Sequence, residues 1–396
     1  MSKRGKGESD SKNGSESDRE NDGRNQQQEN AAVTLSVMRA MWVLVIAVVA
    51  TTPMRAQWML QESHTTASLR GVQALSAEVA WASGTDGTVL RTVDGGKNWE
   101  PCAVPRGAEK LDFRGVQAVD ARTAWVMSSG PGDASRLYQT KDACRTWALV
   151  FSNPDKAGFW DGLLYSAKLK TLFILGDPVD GAYRLFFARV GGSGYETGAF
   201  SHDWNEHPIA AIEGQAAFAA SNTLLVEGVG DGAFSLLTGG MKSEVVHEER
   251  SRVQPLDMAE KEGAFSEWSR TPLPFAAGQA SGAFSMALGS GGHVVVVGGD
   301  YQKPGERAST AAWSDNGGYK FAPAVTMPGG YRSGVAYDPA AKVWVAVGTS
   351  GTDVSADDGR NWVAVTGDNG GWNAVSLPFA VGVKGRIGVW ATGAAK

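Results

Sequence analysis

The sequence predicts an all-β fold, a seven-bladed β-propeller whose blades are four-stranded antiparallel sheets. Three observations lead to this prediction. An eight-residue phrase recurs along the chain, twice clearly and twice in worn form. Glycine, at 51 of 396 residues, and tryptophan, at 14, are both plentiful, which suits many short strands joined by tight turns. Candidate second strands also start roughly 35 to 60 residues apart, close to the period of propeller blades.

The recurring phrase reads TVDGGKNW at residues 92–99 and SADDGRNW at 355–362, with worn copies TKDACRTW at 140–147 and SDNGGYKF at 314–321. Its order predicts a hairpin turn. The acid's side chain can accept hydrogen bonds from the turn amides, and glycine adopts a backbone conformation that other residues resist. The aromatic residue is expected to pack behind the hairpin. The phrase therefore predicts structure and no chemistry.

Two sets of residues are accordingly predicted to be structural. The turn residues with their rings are Asp94 with Trp99, Asp142 with Trp147, Asn316 with Phe321, and Asp357 with Trp362. The further tryptophans predicted to lie in the core are Trp81, Trp125 and Trp344.

Seven strand-turn-strand units follow one another along the chain. First strands are predicted at 71–75, 115–119, 162–166, 216–220, 284–288, 333–337 and 373–377. Second strands are predicted at 79–83, 125–128, 172–175, 234–238, 294–297, 344–347 and 379–381. The fourth unit lacks the recurring turn, and 248–280 has the composition of a long irregular insertion. An eight-bladed ring is the alternative, if 241–275 forms a blade of its own.

The last unit supplies only three strands, at 373–377, 379–381 and 386–390. Residues 57–62 (QWMLQE) alternate as an edge strand would. Pairing of this segment with the last unit would close the ring and protect its edges. We therefore predict one propeller domain over residues 57–396.

The segment before this domain has the features of an export signal. A positive start near Arg39, a short apolar run at 42–50 and the small residue Ala56 are typical of a secretory signal over 38–56, because a membrane span needs about twenty apolar residues. Residues 1–37 then form a disordered polar tail, or are not translated if synthesis starts at Met38. The alternative is a genuine tail followed by a weak membrane anchor. The first interpretation predicts a periplasmic or secreted protein.

Export would permit a disulfide between the two cysteines, Cys102 and Cys144. Cys102 is predicted in the outer strand of one unit and Cys144 in the turn of the next. Such a separation can exceed the limit of roughly 7 Å between Cα atoms. The sequence leaves the bridge open.

Composition excludes several classes of function. The net charge is −5, and no basic stretch is interleaved with aromatic residues, so no nucleic-acid partner is expected. The five histidines are scattered without the spacing of metal ligands. We expect no metal and no cofactor.

The recurring phrase resembles the Asp-box, or BNR repeat, shared by sialidases and other propellers. Longer phrases resemble the photosystem II stability/assembly-factor family and its bacterial relatives over essentially all of 57–396. These phrases are LRGV at 69–72, LRTVDGGKNW at 90–99, FWDG at 159–162, GDPVDG at 176–181, VGGDY at 297–301, GYRS at 330–333, WNAV at 372–375 and AVGVKGR at 380–386. The resemblance implies an exported, non-catalytic propeller that assists assembly of a membrane complex. Bacterial relatives often bear the label oxidoreductase, yet the sequence contains no dinucleotide fingerprint or redox motif.

Strand order predicts where a binding site would lie. Entries to the first strands ring one mouth of the central channel, and the turns between second and third strands surround it. The entry residues are Arg70, Arg114, Asp161, Glu213, Ser281, Arg332 and Asn373, and the turn acids are Asp86, Asp133, Asp177, Asp180 and Asp300. Three arginines could bind a carboxylate-bearing or peptide ligand. The alternative is that these charges pair with one another and cap strand ends.

Three functions fit the sequence. The first is a monomeric binding module with a protein partner, acting near a membrane while its mature domain stays soluble. The second is a glycoside hydrolase on the same fold, for which Asp161 and Glu213 are the only carboxylate pair to test. The third is a secreted structural propeller. An open cleft with aromatic platforms would favour a sugar, and a flat charged surface would favour a protein.

Overall fold

The computed structural model describes residues 56–190, 204–229, 234–248, 268–368 and 370–392. Seven antiparallel sheets follow one another as blades, and each contacts the next through its innermost strand, the last blade contacting the first. The predicted seven-bladed β-propeller is therefore confirmed. The predicted tail and the signal segment up to residue 55 lie outside the described residues. Within the described ranges, no helix combines the length and apolarity needed to cross a membrane.

The strands of the first four blades, from the innermost outward, are as follows. Blade 1 contains β2 (Leu69–Ala74), β3 (Ala80–Gly84), β4 (Val89–Thr92) and β5 (Glu100–Pro101). Blade 2 contains β6 (Phe113–Ala118), β7 (Ala124–Ser128), β8 (Arg136–Thr140) and β9 (Ala148–Ser152). Blade 3 contains β10 (Trp160–Ser166), β11 (Thr171–Gly176), β12 (Ala182–Arg189) and β13 (Asn205–Ala210). Blade 4 contains β15 (Leu225–Glu227), β16 (Phe234–Leu237), β18 (Glu244–Glu248) and β19 (Trp268–Pro272).

The remaining blades are listed in the same order. Blade 5 contains β20 (Ser281–Leu288), β21 (Val294–Asp300), β22 (Ala311–Ser314) and β23 (Ala322–Pro323), and its inner edge is extended by β17 (Gly239–Gly240) and β14 (Gln215–Ala216). Blade 6 contains β24 (Gly334–Asp338), β25 (Val343–Gly348), β26 (Gly351–Ser355) and β27 (Val363–Ala364). Blade 7 contains β28 (Trp372–Ser376), β29 (Phe379–Gly382), β30 (Ile387–Thr392) and, outermost, β1 (Ala56–Gln61). Three short 3-10 turns are described, at Gly132–Ala134, Ser290–Gly292 and Val383–Gly385.

The fourth unit differs from the prediction. Its first strand is β15, so the first strand predicted at 216–220 is wrong. The chain there forms β14, which pairs with β17 and thereby joins the sheet of blade 5. The eight-bladed alternative is wrong, because the described strands of the segment 241–275, β18 and β19, are the outer strands of blade 4. The insertion predicted at 248–280 therefore contains a regular strand, β19, whose register is set by pairing with β18.

Position within a blade determines the composition of a strand. Second strands have both faces covered by neighbouring blades, and β21 and β25 are accordingly valine-rich and buried along nearly their whole length. Outermost strands meet solvent, and β5 and β27 are two-residue exposed strands. Most buried apolar clusters lie between successive blades, as in the cluster joining Leu90 and Trp99 of blade 1 to Phe379 and Ile387 of blade 7.

The innermost strands are joined by hydrogen bonds from side chains at every interface between blades. The bonds, taken around the ring, are Ala118 N to Gln73 Oε1, Tyr165 N to Gln117 Oε1, Leu163 N to Asn222 Oδ1, Thr223 Oγ1 with Ser285 Oγ, Val335 N to Ser285 Oγ, Ser333 Oγ to Asn373 O, and Asn373 Nδ2 to Leu69 O. An innermost strand has no neighbouring strand on its channel side to pair with its backbone groups. These side chains supply hydrogen-bond partners for some of those polar groups.

The two ends of the domain meet in blade 7. β1 pairs antiparallel with β30, so that Trp58 lies opposite Trp390 and Leu60 opposite Gly388. The Trp58 ring packs 5.2 Å from Trp372 and 4.8 Å from Trp390, centroid to centroid, and its Nε1 donates to Thr352 Oγ1 of blade 6 at 2.9 Å. The predicted closure of the ring by the N-terminal strand is confirmed.

The two cysteines are bridged. Cys102 follows blade 1, Cys144 lies in the turn of blade 2, and their Cα atoms are 5.2 Å apart. The separation expected to hinder a bridge is absent because the end of blade 1 runs beside that turn, and Ala103 N donates to Cys144 O at 3.1 Å.

The four recurring turns share one pattern of hydrogen bonds. In the first, Gly96 N donates to Thr92 Oγ1 at 3.0 Å and Asn98 N donates to Asp94 Oδ1 at 2.9 Å. The turns of Asp142, Asn316 and Asp357 repeat both bonds. The predicted core tryptophans are buried, with one exception. The exception is Trp147, which is half-buried because it lies near the outer edge of its blade, where its Nε1 donates to Ala103 O. The ring of the fourth turn, Phe321, is also half-buried.

Candidate functional site

Five innermost strands carry a β-bulge at the same place. In blade 1, Leu69 pairs with Gly84 and Gly71 with Ser83, which leaves Arg70 as the extra residue. A bulge re-aims the side chain of that residue. The equivalent extra residues of blades 2, 3, 5 and 7 are Arg114, Asp161, Phe284 and Asn373. All five line one cavity of 590 Å³, which we call the mouth cavity.

Each bulge needs space on the neighbouring strand. A Cβ atom on Gly84 would lie 2.4 Å from Ser68 O, and one on Gly176 would lie 2.5 Å from Phe159 O. Glycine suits so close a backbone approach and occupies this end of the second strand in four of the five bulged blades, whereas blade 2 has Ser128 there. A glycine at the end of the second strand, together with a small residue directly after the bulge, is a sequence signal for these positions. It is present in blades 1, 3, 5 and 7 and absent from blade 2.

Blade 6 shows why the arginine predicted there does not face the cavity. Ser333 precedes Gly334 as Arg70 precedes Gly71, and Ser333 lines the mouth cavity. Arg332 is one position earlier, where blades 1 and 2 have buried apolar residues. Its side chain is 2% exposed, and its guanidinium forms an ion pair with the buried Asp353 and donates to Tyr331 O at 2.7 Å. Arg332 therefore lies behind the cavity wall.

Two arginines form one side of the cavity, which we call the basic pole (Arg70 and Arg114). Arg114 Nε donates to Asp112 Oδ2 at 2.8 Å, and Arg70 Nη2 donates to the same oxygen at 3.5 Å. Arg114 Nη1 also donates to Ala219 O at 3.1 Å. One carboxylate held between two guanidinium groups leaves this side with a net positive charge. Both arginine side chains are about a quarter to a third exposed, at 30% and 27%.

Two aspartates form a second side, which we call the acidic pole (Asp161 and Asp177). Asp161 is 2% exposed, and its Oδ2 accepts no hydrogen bond from the residues that the structure describes. Burial raises the pKa of Asp161 well above its usual value, the charge of Asp177 adds to this, and Arg114 opposes it. Burial likewise raises the pKa of Asp177, while the amide of Ala217, 2.9 Å from its Oδ1, opposes the rise.

A third side consists of four rings, Phe218, Phe284, Tyr301 and Tyr331, which we call the aromatic wall. Phe218 and Phe284 stack with centroids 4.1 Å apart, and Tyr331 meets Phe284 edge to face at 4.9 Å. Burial raises the pKa of the Tyr331 phenol, and the charges of Arg70 and Arg114 oppose the rise, which places this ring beside the basic pole. Tyr301 is 48% exposed at the rim.

The other residues predicted to ring the mouth are not brought together. Glu213 is exposed and does not line the mouth cavity. Ser281 and Asp300 line a neighbouring groove of 480 Å³ that shares Gln279 and Tyr301 with the mouth cavity. The acids that lie exposed outside both spaces are Asp86, Asp133 and Asp180.

The sequence does not predict the aromatic wall. Phe284 is predicted in the first strand of blade 5 without a role, and Phe218 falls in the fourth unit, whose predicted first strand is wrong. The four rings come from four separate loops or strands, and no spacing relates them. Among the described residues, no group of three His, Cys, Asp or Glu side chains is arranged to hold a metal.

The fold is shared with solved structures. The chain is similar to one described as YCF48 bound to D1 peptide, with a TM-score of 0.55 and 14% identity over 87% of this chain and 99% of that one. It is also similar to YCF48 from Cyanidioschyzon merolae, with a TM-score of 0.51 and 16% identity over 84% of this chain and 98% of that one. At this identity the likeness concerns the propeller fold. No family model and no curated protein matches the sequence.

Proposed function

We propose that this propeller is a non-catalytic binding protein whose mouth cavity takes the carboxyl terminus of a protein partner. The observation that carries the proposal is the basic pole. Arg70 and Arg114 occupy equivalent bulges of adjacent blades, point into one cavity and share a single compensating carboxylate, Asp112. Two guanidinium groups on one side of a concave space suit a carboxylate, which each can bind through two parallel hydrogen bonds.

The cavity also suits the chain that precedes such a carboxylate. The aromatic wall offers apolar surface next to the basic pole, and ligand sites are typically apolar spaces with a few polar groups that fix orientation. The neighbouring groove continues from the rim at Tyr301, so a peptide has a path out of the cavity. A solved structure of the same fold is described as bound to a peptide, which supports a peptide ligand here.

We further infer that the protein works outside the cytoplasm, in the assembly of an envelope or membrane complex. The Cys102–Cys144 bridge supports this location, because structural disulfides persist in oxidising compartments. The apolar run at 42–50 with Ala56 after it supports the same inference. The likeness in fold to proteins described as YCF48 supports a role in assembly.

The aromatic wall would also suit a sugar, but the glycoside-hydrolase alternative gains no support from the carboxylate pair that suggested it. That hypothesis requires Asp161 and Glu213 to face each other across a cleft. Asp161 is buried beneath the mouth cavity, whereas Glu213 is exposed outside it. The carboxylate that does share the cavity with Asp161 is Asp177, and this pair has another role in the inference below.

The test uses peptides whose carboxyl terminus is either free or amidated. A library of labelled hexapeptides is screened by fluorescence polarisation against the protein, and the best ligands are resynthesised as amides. We expect amidation to weaken binding at least about tenfold, because it removes the charged partner of two arginines. Arg114→Ala and Arg70→Ala should cause losses of similar size, and amidation should then change little.

Arg145→Ala is the matched control. Arg145 is exposed in the recurring turn of blade 2, which antiparallel strand order places on the face opposite the mouth cavity. Its replacement should leave peptide affinity unchanged. The proposal is overturned if free and amidated peptides bind equally, or if Arg145→Ala weakens binding as much as Arg114→Ala does.

A further inference from the structure

The mouth cavity contains a second charged feature that a carboxylate ligand alone leaves unexplained. Asp161 is 2% exposed, lines the cavity together with Asp177, and has an Oδ2 atom with no hydrogen-bond partner among the described residues. A buried acceptor without a partner is costly, and burying two carboxyl groups side by side adds repulsion. A ligand that donates hydrogen bonds or brings positive charge to this point would relieve both costs.

Among the residues that the structure describes, no cation fills that role. Arg114 is the basic side chain whose charge lowers the pKa of Asp161. Its guanidinium already donates to Asp112 Oδ2 and to Ala219 O. Ala219 lies between the two poles, since its carbonyl accepts from Arg114 and its backbone N–H lowers the pKa of Asp161. The basic and acidic poles are thus neighbours within one cavity, each with capacity left for a partner.

We propose that the mouth cavity recognises a peptide that ends in lysine or arginine, with the terminal carboxylate on Arg70 and Arg114 and the basic side chain on Asp161 and Asp177. This inference rests on the proposed function and specifies its ligand. The side chain of the last residue leaves the same Cα atom as the terminal carboxylate, so one residue presents both charges to two adjacent poles. The aromatic wall faces the same space and favours the approach of a cation over its rings.

The pKa directions agree with this arrangement. Burial raises the pKa values of Asp161 and Asp177, and the charge of Asp177 raises that of Asp161 further, as expected for buried acids whose charge is not fully compensated. The buried Tyr183 of β12 interacts with both aspartates, and burial, followed by the charge of Asp177, raises its pKa while Arg270 opposes the rise. A bound ammonium group would lower the pKa values of both aspartates.

The experiment compares two peptides that differ by one charge. Acetylated pentapeptides of identical sequence end in lysine or in norleucine, both with a free carboxylate, and norleucine lacks only the ammonium group. For the wild-type protein we expect the lysine peptide to bind at least about tenfold more tightly, because its cation pairs with buried carboxylates. In Asp161→Asn and in Asp177→Asn, which keep the side-chain shape, this ratio should fall toward one while the norleucine peptide binds as before.

Each outcome has a distinct meaning. If norleucine and lysine peptides bind the wild-type protein equally, the acidic pole recognises no cation and this inference fails while the proposed function stands. If neither peptide binds, both fail together. If the preference persists in both folded aspartate variants, the acidic pole is not its source and the inference fails. The comparison of the two peptides on the wild-type protein depends on no variant. It therefore tests the inference even if the Asp161→Asn protein does not fold.

Discussion

The four recurring turns are closed by the same contacts, made by Asp94, Asp142 and Asp357 in three turns and by Asn316 in the fourth. A charged and an uncharged side chain can therefore be compared in the same structural role. Asp142 accepts hydrogen bonds from Thr146 N at 3.0 Å and from Thr140 Oγ1 at 3.0 Å. Asn316 accepts from Lys320 N and from Ser314 Oγ at 3.1 and 2.7 Å. The side-chain oxygen therefore supplies the geometry, and the charge strengthens the hydrogen bonds.

The charge makes the Asp142 turn sensitive to acid. The backbone hydrogen bond from Thr146, followed by that from its hydroxyl, lowers the pKa of Asp142 from 3.8 to about 2. A depressed pKa in the folded state contributes stability that is present above the unfolded value and is lost as the pH falls through the folded value. We expect the destabilisation caused by Asp142→Ala, measured by urea unfolding, to shrink as the pH falls from about 4 to about 2.

Asn316→Ala is the internal control, because an amide does not titrate in this range. Its effect on the urea midpoint should stay constant over the same pH series. Parallel pH profiles for the two variants would show that the charge of Asp142 contributes nothing to its turn.

Between elements, the blades are held by apolar clusters and by the ring of hydrogen bonds near the channel. Ser285 takes part in two bonds of that ring. Its hydroxyl bonds with Thr223 Oγ1 at 2.6 Å, on the side of blade 4, and accepts from Val335 N of blade 6 at 2.9 Å. One fully buried hydroxyl group thus links three consecutive blades.

Replacement of Ser285 by alanine should lower the free energy of unfolding by about 1–3 kcal/mol, because it leaves the buried amide of Val335 without its acceptor. Urea unfolding followed by tryptophan fluorescence measures the loss. Ser290→Ala in the same blade is the control, since Ser290 bonds Tyr337 at the exposed surface. A loss no greater than that of the control would show that the buried bonds of Ser285 add no more to stability than an exposed bond between the same two blades.

The whole molecule depends on one closing contact, because a ring of seven blades is held shut where its two ends meet. β1 supplies the fourth strand of blade 7, and Trp58 fills the space between Trp372 and Trp390. The disulfide adds a covalent link between blades 1 and 2, far along the chain from this closure.

Trp58→Ala should therefore destabilise the fold by about 2–4 kcal/mol, since it empties the contact that closes the ring. Thermal and urea unfolding of the variant measure this loss. Met59, on the same strand and 49% exposed, is the matched control, and Met59→Ala should cost under about 0.5 kcal/mol. Equal effects of the two substitutions would mean that β1 closes the ring through its backbone alone.

The site was predictable only in part. Arg70, Arg114, Asp161 and Asn373 were found because the blade repeat places the start of each first strand at the channel. Arg332 lies one position before Ser333, the residue of blade 6 that lines the cavity. Because side chains alternate along a strand, that single step places Arg332 in the core. Phe218, Tyr301 and Tyr331 lie in connections between strands, where the blade repeat does not predict positions. Only the tertiary structure shows that these rings line the same side of the cavity.

By itself, the sequence determined the local structure and the number of blades. The recurring turn is defined by contacts within eight residues, strands are defined by short apolar runs, and strand order then defines the two faces. The tertiary structure alone decided the pairing of Cys102 with Cys144, the strands of blade 4 and the contents of the mouth cavity. Each of these depends on the distance between segments far apart in the chain, and that distance is set by how neighbouring blades pack and by where a bulge turns one side chain toward the channel.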